Sequence, residues 1–341
     1  MDLALLRRNA AEKLRGYCRV CPICDGRACA GEVPGMGGIG TGHAFISNLE
    51  ALANCRFNMR TIHDVKAVDT SIVLWGRKLS MPILAAPMTG TTYNMGGKIS
   101  EEAFIEAIIA GSLSAGTLGM TGDAADPTLW SSVMKVLESN QGKGIAIIKP
   151  RGQREIIDHI RDTEKSGAIA VGMDIDGAGL ITMALKGQPV SPKTFDELKQ
   201  IISSTKVPFV LKGIMTPLEA ELAMEAGVSA IVVSNHGGRV LDYTPGTAEV
   251  LWRIAKRVTG RIIVLVDGGV RTGGDVLKLL ALGADAVLVG RPLIMGALGG
   301  GSEGVAFLLK RMKDELIQAM LLTGTADVKR VDKEILYKAG A

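Results

Sequence analysis

Residues 207–239 read VPFVLKGI, MTPLEAELAMEAG, then VSAIVVSNHGGR. The first run is short, apolar and rich in Val, Ile, Leu and Phe, the pattern of a strand buried on both faces. Thr216, Pro217 and Glu219 supply an N-cap, an N1 proline and an N3 carboxylate for a helix over 220–226, and Gly227 stops it. A second apolar run over 230–237 follows at once. Working outward, the same unit recurs. Apolar runs stand at 81–88, 113–120, 144–150 and 168–175 before this stretch, and at 262–269 and 286–292 after it. A further helix over 275–282 ends at Gly283. An open doubly wound sheet would show the same alternation, but eight strand–helix units is the number a closed (β/α)₈ barrel requires.

The expected organisation is therefore a barrel over 81–341 preceded by an N-terminal extension over 1–80. In the extension, 1–8 reads as a short amphipathic helix and 31–42 as a glycine-dense loop. Residues 60–80 alternate polar and apolar, as a β-ribbon closing the barrel bottom would. The stretch 302–320 reads as the eighth helix.

Of the 341 residues, 47% are hydrophobic and 22% charged, which excludes a disordered chain. Forty-three glycines against 4% aromatics suit many tight strand-to-helix turns. The net charge of +4 is spread without long like-charge blocks, so no nucleic-acid or polyanionic-membrane footprint is expected. No run of about 18 uninterrupted apolar residues predicts a membrane span. The early Asp2 and short apolar run do not make a secretory signal. Five cysteines in a chain of this size argue against a disulfide framework, and the cytoplasm is the expected location.

Barrel active sites lie at the C-terminal strand ends. There the sequence places Ala86-Pro87-Met88-Thr89, Asp174-Ile175-Asp176, Lys212, Ser234-Asn235-His236-Gly237-Gly238-Arg239, Asp267-Gly268-Gly269-Val270-Arg271 and Gly290-Arg291. The glycine turns let backbone amides approach an anion, and Arg271 and Arg291 add counter-charge where this fold holds phosphate. His236 beside Arg239 pairs a titratable base with a fixed cation, which suits an anionic substrate that must lose a proton. Lys212 ends an apolar strand, where a buried ammonium needs an anionic partner; a salt bridge to a neighbouring carboxylate is the alternative. His43, His63 and His159 read as structural.

These motifs resemble the FMN-dependent α-hydroxy-acid oxidase and dehydrogenase family, to which glycolate oxidase, lactate oxidase and mandelate dehydrogenase belong. The resemblance covers roughly 45–335. It implies an oxidoreductase that passes a hydride from a 2-hydroxy acid, or a related anionic alcohol, to FMN. It further implies that 86–89 lie against the flavin and that Lys212 faces its N1/O2 edge. Ser234, Asp174, Asp267, Gly268, Gly269, Arg271, Gly290 and Arg291 would hold the cofactor. His236 would be the base, Asp176 its partner and Arg239 the carboxylate clamp. A small anionic substrate and a homo-oligomer are expected; the sequence does not name the electron acceptor.

The pattern departs from the family on the substrate side. Ile147 stands for a flavin-contacting Gln and Lys149 for a substrate tyrosine, so Lys149 becomes a substrate-binding candidate. No tyrosine stands near Pro34, and the loop 177–190 is short, with Lys186 its only nearby cation. Two other readings are a flavin-dependent isomerase of the type 2 isopentenyl diphosphate isomerase kind and a non-catalytic flavin-binding protein. His236 and Arg239 argue against both.

Cys18-x₂-Cys21-x₂-Cys24-x₄-Cys29 is foreign to the family. Four thiols in twelve residues suit one metal centre, and the spacing does not separate zinc from iron–sulfur. Reduced structural cysteines and redox-active thiols are the alternatives.

Overall fold

The computed structural model describes residues 1–337. Eight strands form a closed, all-parallel barrel: β1 Ile83–Met88, β2 Gly119–Gly122, β3 Ile145–Ile148, β4 Ala170–Asp174, β5 Phe209–Ile214, β6 Ala230–Val233, β7 Ile263–Val266 and β8 Ala286–Val289. Each pairs with the next, and β8 closes on β1 through Val287–Ile83, Leu288–Leu84 and Val289–Ala85. Nearly every strand residue is buried, because one face fills the barrel and the other lies under helices. Closure settles the architecture as the expected (β/α)₈ barrel.

The local signals act as their chemistry requires. Helix Pro217–Ala226 starts on Thr216, whose Oγ accepts from the Glu219 amide, and stops at Gly227 with φ +101°. The expected 275–282 helix spans Gly273–Ala281 and is boxed by Thr272 and Asp275. One strand lies elsewhere than expected. Leu113 and Ser114 belong to the last turn of helix Glu101–Ser114, and the second strand starts only at Gly119. A helix end rich in small and apolar residues is indistinguishable from a buried strand by periodicity alone.

Only part of the 60–80 ribbon is a ribbon. Ile72–Leu74 and Arg77–Leu79 form an antiparallel hairpin about Trp75 and Gly76, and Ser80 then donates to the Gly116 carbonyl ahead of β2. That places the hairpin at the N-terminal end of the barrel. Residues 60–71 instead satisfy their backbone against the C-terminal segment: Arg60 donates to Leu322 and Asp69 to Ala326, and Val328 donates to Asp69.

The N-terminal helix Leu3–Lys13 packs its Leu6 against Gly299 and Gly304 of the last helix. Leu6, Leu14, Met36 and Leu52 join the same apolar core as the barrel strands. The last helix, Arg291–Thr323, is broken at Gly300 and Gly301, so its second half answers to the expected 302–320 segment. By length and composition it could cross a membrane. Its Leu293, Leu298, Leu309 and Leu316 are buried in the core, which makes it a covering helix of the barrel.

Candidate active site

The C-terminal ends of the barrel strands converge on one cleft. Lys212 lies in β5 in register with Asp174 of β4 and Val232 of β6. Its ammonium is buried. It donates to Ser234 Oγ at 2.8 Å and lies 3.5 Å from Asp267 Oδ2. Lys212 is thus paired with Asp267 and also lines the cleft. Burial alone would pull its pKa down, but Asp267, Asp176 and Asp174 outweigh that and raise it, so the cation is fixed.

Ser234 Oγ also accepts the His236 amide at 3.1 Å. His236 itself has φ +57°, followed by Gly237 at +62° and Gly238 at +77°. A β-carbon on Gly238 would lie 2.4 Å from the Phe45 nitrogen, so the turn needs glycine there for space as well as conformation. This turn aims the imidazole at Asp176, with Nδ1 and Oδ1 3.0 Å apart. Asp176 sits in the short helical turn Ile175–Gly179 after β4. It is held against Gly213, where a β-carbon would fall 2.6 Å from its Cγ.

Burial drives the His236 pKa below its ordinary value; Asp176 opposes this, while Lys212 and Lys149 add to it. Burial acts the other way on Asp176, but His236 and Lys212 prevail and keep it ionised. The Asp176 carboxylate thus engages Nδ1, which leaves Nε2 as the basic atom. Among the described residues, Asp174, Asp176 and His236 are the three ligand-type groups whose donor atoms all lie within 4.8 Å of one another. Lys149, ion-paired with Asp174, and Lys212 sit beside them, and two ammonium groups oppose a divalent ion there.

Three half-buried arginines rim the same cleft. Arg239 donates to the carbonyls of Gly35 (2.6 Å) and Gly37 and to Asn94 Oδ1 (2.9 Å). Arg291 donates to Met36, Gly37 and Gly237, and Arg271 to Val270 and Cys24. None of these partners is a carboxylate. Burial pulls Arg239 down to about 10, and burial with the other two arginines pulls Arg291 down to about 9. Concentrated positive charge without an acidic partner calls for an anion.

The glycine-rich loop 31–42 closes over this mouth. Ile39 donates to the Gly238 carbonyl, and Asp242 holds the far end of the loop through the Thr41 and Ala44 amides. Gly35 and Met36 line the cleft.

Of the expected site residues, 86–89, Lys149, Lys212, His236, Arg239, 267–271, Gly290 and Arg291 line the cleft. Ser234, Asp174 and Asp176 stand behind that lining and touch it through Lys212, Lys149 and His236. His43 stacks on Tyr243, His63 bonds the Leu321 carbonyl and His159 packs on Trp130, so all three take structural contacts. Sequence reasoning missed Tyr93, Asn94 and Asp123, which also line the cleft. Tyr93 and Asn94 are carried in by the turn that Glu101 clamps through the Gly90 and Thr91 amides. Asp123 pairs bidentately with buried Arg151, at 2.7 and 3.0 Å. No local signal marks a clamp made ten residues downstream.

A parallel barrel whose strand ends hold a base–carboxylate pair, a buried lysine and glycine turns with arginines defines a cofactor-dependent oxidoreductase of the flavin-barrel class. The FMN-dependent dehydrogenase family pattern matches residues 35–183 and 180–338, and the chain belongs to that family. It is 32% identical to a 2-hydroxyacid oxidase of Dictyostelium discoideum over 322 residues, covering 85% of this chain and 81% of that one. It is 31% identical to glycolate oxidase 1 of Oryza sativa subsp. indica, covering 85% and 86%. Among solved structures, a mandelate oxidase variant with (S)-mandelic acid superposes with a TM-score of 0.78 at 29% identity, covering 99% of this chain and 98% of that one. Another variant, holding a C4a-OH-FMN adduct, gives 0.76 at 28%, covering 97% of each.

The residues present fit FMN. Asp267 Oδ1 and Arg271 Nε are buried polar atoms without a protein partner, at the turn where ribityl hydroxyls and phosphate would be held. Gly268, Gly269 and Gly290 line the same wall beside Arg271 and Arg291. Residues 86–89 line the same cleft as His236 and are available to the ring system.

Proposed function

We propose that this protein oxidises a small 2-hydroxy acid to the 2-oxo acid, with His236 as the base. The observation that carries this reading is the shared cleft: the His236–Asp176 pair faces the same space as Lys212 and an arginine rim that meets no carboxylate. Bound FMN supplies the two-electron acceptor. The turns at 267–271 and 290–291 would hold its phosphate and ribityl chain, 86–89 would flank its ring, and Lys212 would offset the negative charge of the reduced ring. Ser234 and Asp267 keep that ammonium in place, so its charge is available without reorganisation.

Arg239 binds the substrate carboxylate, and Asn94 and the carbonyls of Gly35 and Gly37 fix the plane of its guanidinium. His236 Nε2 takes the hydroxyl proton, and Asp176 stabilises the imidazolium that results. On the far wall, Tyr93 takes the place of the tyrosine absent near Pro34. Its hydroxyl accepts the Ala125 amide at 2.8 Å, and burial pushes its pKa up to about 12, so it stays a neutral donor toward the cleft. Lys149 is spent on Asp174 and shapes the charge around His236 more than it binds substrate. Leu180 and Met183 make the rest of that wall apolar, which favours a hydroxy acid with a hydrocarbon side chain over one with a second charge.

The test is product analysis. Purified holoprotein is mixed without oxygen with glycolate, lactate, 2-hydroxyoctanoate or mandelate, and the 2-oxo acid is quantified. About one equivalent per flavin from at least one of these supports the reading. Rearranged substrate with no oxo acid would favour the isomerase reading, and an inert flavin would favour a binding protein.

A further inference from the structure

The proposed oxidation does not call on the four N-terminal cysteines, yet the fold gathers them. Cys18, Cys21, Cys24 and Cys29 are half-buried free thiols, and all four line one cavity of about 380 Å³. Apolar Leu14, Ile294 and Met312 share its lining with charged Arg7, Asp25 and Glu315. Arg271 and Arg291 close it on the flavin side.

Donors already point at sulfur. The Arg271 guanidinium donates to Cys24 Sγ at 3.4 Å, and the Val20 amide donates to Cys18 Sγ at 3.4 Å. Val20 takes φ +48° in doing so, an uncommon conformation for a β-branched residue. Such donors stabilise thiolate ligands.

The geometry separates two metal occupations of this site. Tetrahedral zinc, with Zn–S bonds of about 2.3 Å, brings its sulfurs to about 3.8 Å from one another. Among the described residues no three cysteine sulfurs lie within 4.8 Å of one another. An iron–sulfur cubane binds one thiolate at each iron and fills its centre with sulfide, so its ligands stand apart around a volume. The Cys-x₂-Cys-x₂-Cys run is also the ligand spacing of bacterial ferredoxins.

We propose that Cys18, Cys21, Cys24 and Cys29 each bind one iron of a [4Fe–4S] cluster seated in this cavity. Each thiol loses its proton to solvent as its S–Fe bond forms. Arg271 and Arg291 balance the anionic charge of the ligated cluster. Arg271 belongs also to the 267–271 turn, so the cluster seat and the flavin-phosphate turn share a side chain.

The experiment is composition analysis of the full-length protein produced with iron and zinc both available and purified without oxygen. About four iron and four acid-labile sulfide per chain are expected. The Cys21→Ser/Cys24→Ser double variant should lose both, whereas Cys55→Ser, outside the cavity, should keep them. Stoichiometric zinc without sulfide would overturn the proposal. So would a wild-type protein with neither metal nor sulfide and four freely titrating thiols. Iron and sulfide are counted whether or not any hydroxy acid is oxidised, so this result is independent of the proposed activity.

Discussion

His236 owes its chemistry to neighbours on three strands. Asp176 after β4 orients it, Ser234 after β6 holds its backbone, and burial, aided by Lys212 of β5, keeps its pKa low. A base works only when unprotonated, and a lowered pKa extends the active form toward acid. The acid limb of kcat/KM should therefore have its midpoint below the ordinary histidine value of 6.5. A midpoint above about 7 would mean that Asp176 outweighs burial. Arg239 tests geometry instead of charge. Its two terminal nitrogens are tied to Gly35, Gly37 and Asn94, so its fork has one orientation. Arg239→Lys keeps the charge and loses the fork, and steady-state kinetics should show kcat lowered as well as KM raised. A change in KM alone would reduce Arg239 to a point charge.

At the scale of elements, the 31–42 loop depends on an anchor outside itself. The Asp242 carboxylate accepts the Thr41 and Ala44 amides and the Thr41 hydroxyl, and these bonds hold it down to about 2. Asp242→Asn removes the charge from these bonds. Exchange of the 39–44 amides should rise about 5- to 30-fold, corresponding to roughly 1–2 kcal/mol for charged hydrogen bonds, while barrel strands stay protected. Unchanged exchange would show that the Ile39–Gly238 bond suffices. Strands and helix caps such as Thr216–Gly227 were readable in the sequence because their signals are local. The strand-end chemistry was readable because a barrel assigns strand ends to one face. The second strand was misplaced because Leu113 and Ser114 are as apolar and small as a strand needs. Tyr93 and Asn94 escaped because Glu101 places them from another element, and the Lys149–Asp174 pair because it joins residues 25 apart.

The whole molecule is a barrel carrying charge at one mouth. Burial, with Arg239 and Arg271 beside it, lowers the pKa of Arg291 there, and the side chains of all three donate to no carboxylate. A bound phosphate, at about −1.5 to −2, relieves that repulsion. Arg291→Glu inverts it, and the flavin-to-protein absorbance ratio of the purified variant should fall to about a tenth or less of wild type. Full flavin content would remove Arg291 from the phosphate site.

The most direct measurement is anaerobic flavin bleaching in a single turnover, comparing wild type with His236→Ala using the 2-hydroxy acid that gives oxo-acid product. Wild type should bleach fully. The variant should retain its flavin and bleach at least about 10²-fold more slowly, the lower end of general-base effects. Equal bleaching rates in the two proteins would contradict the assignment of His236 as the base.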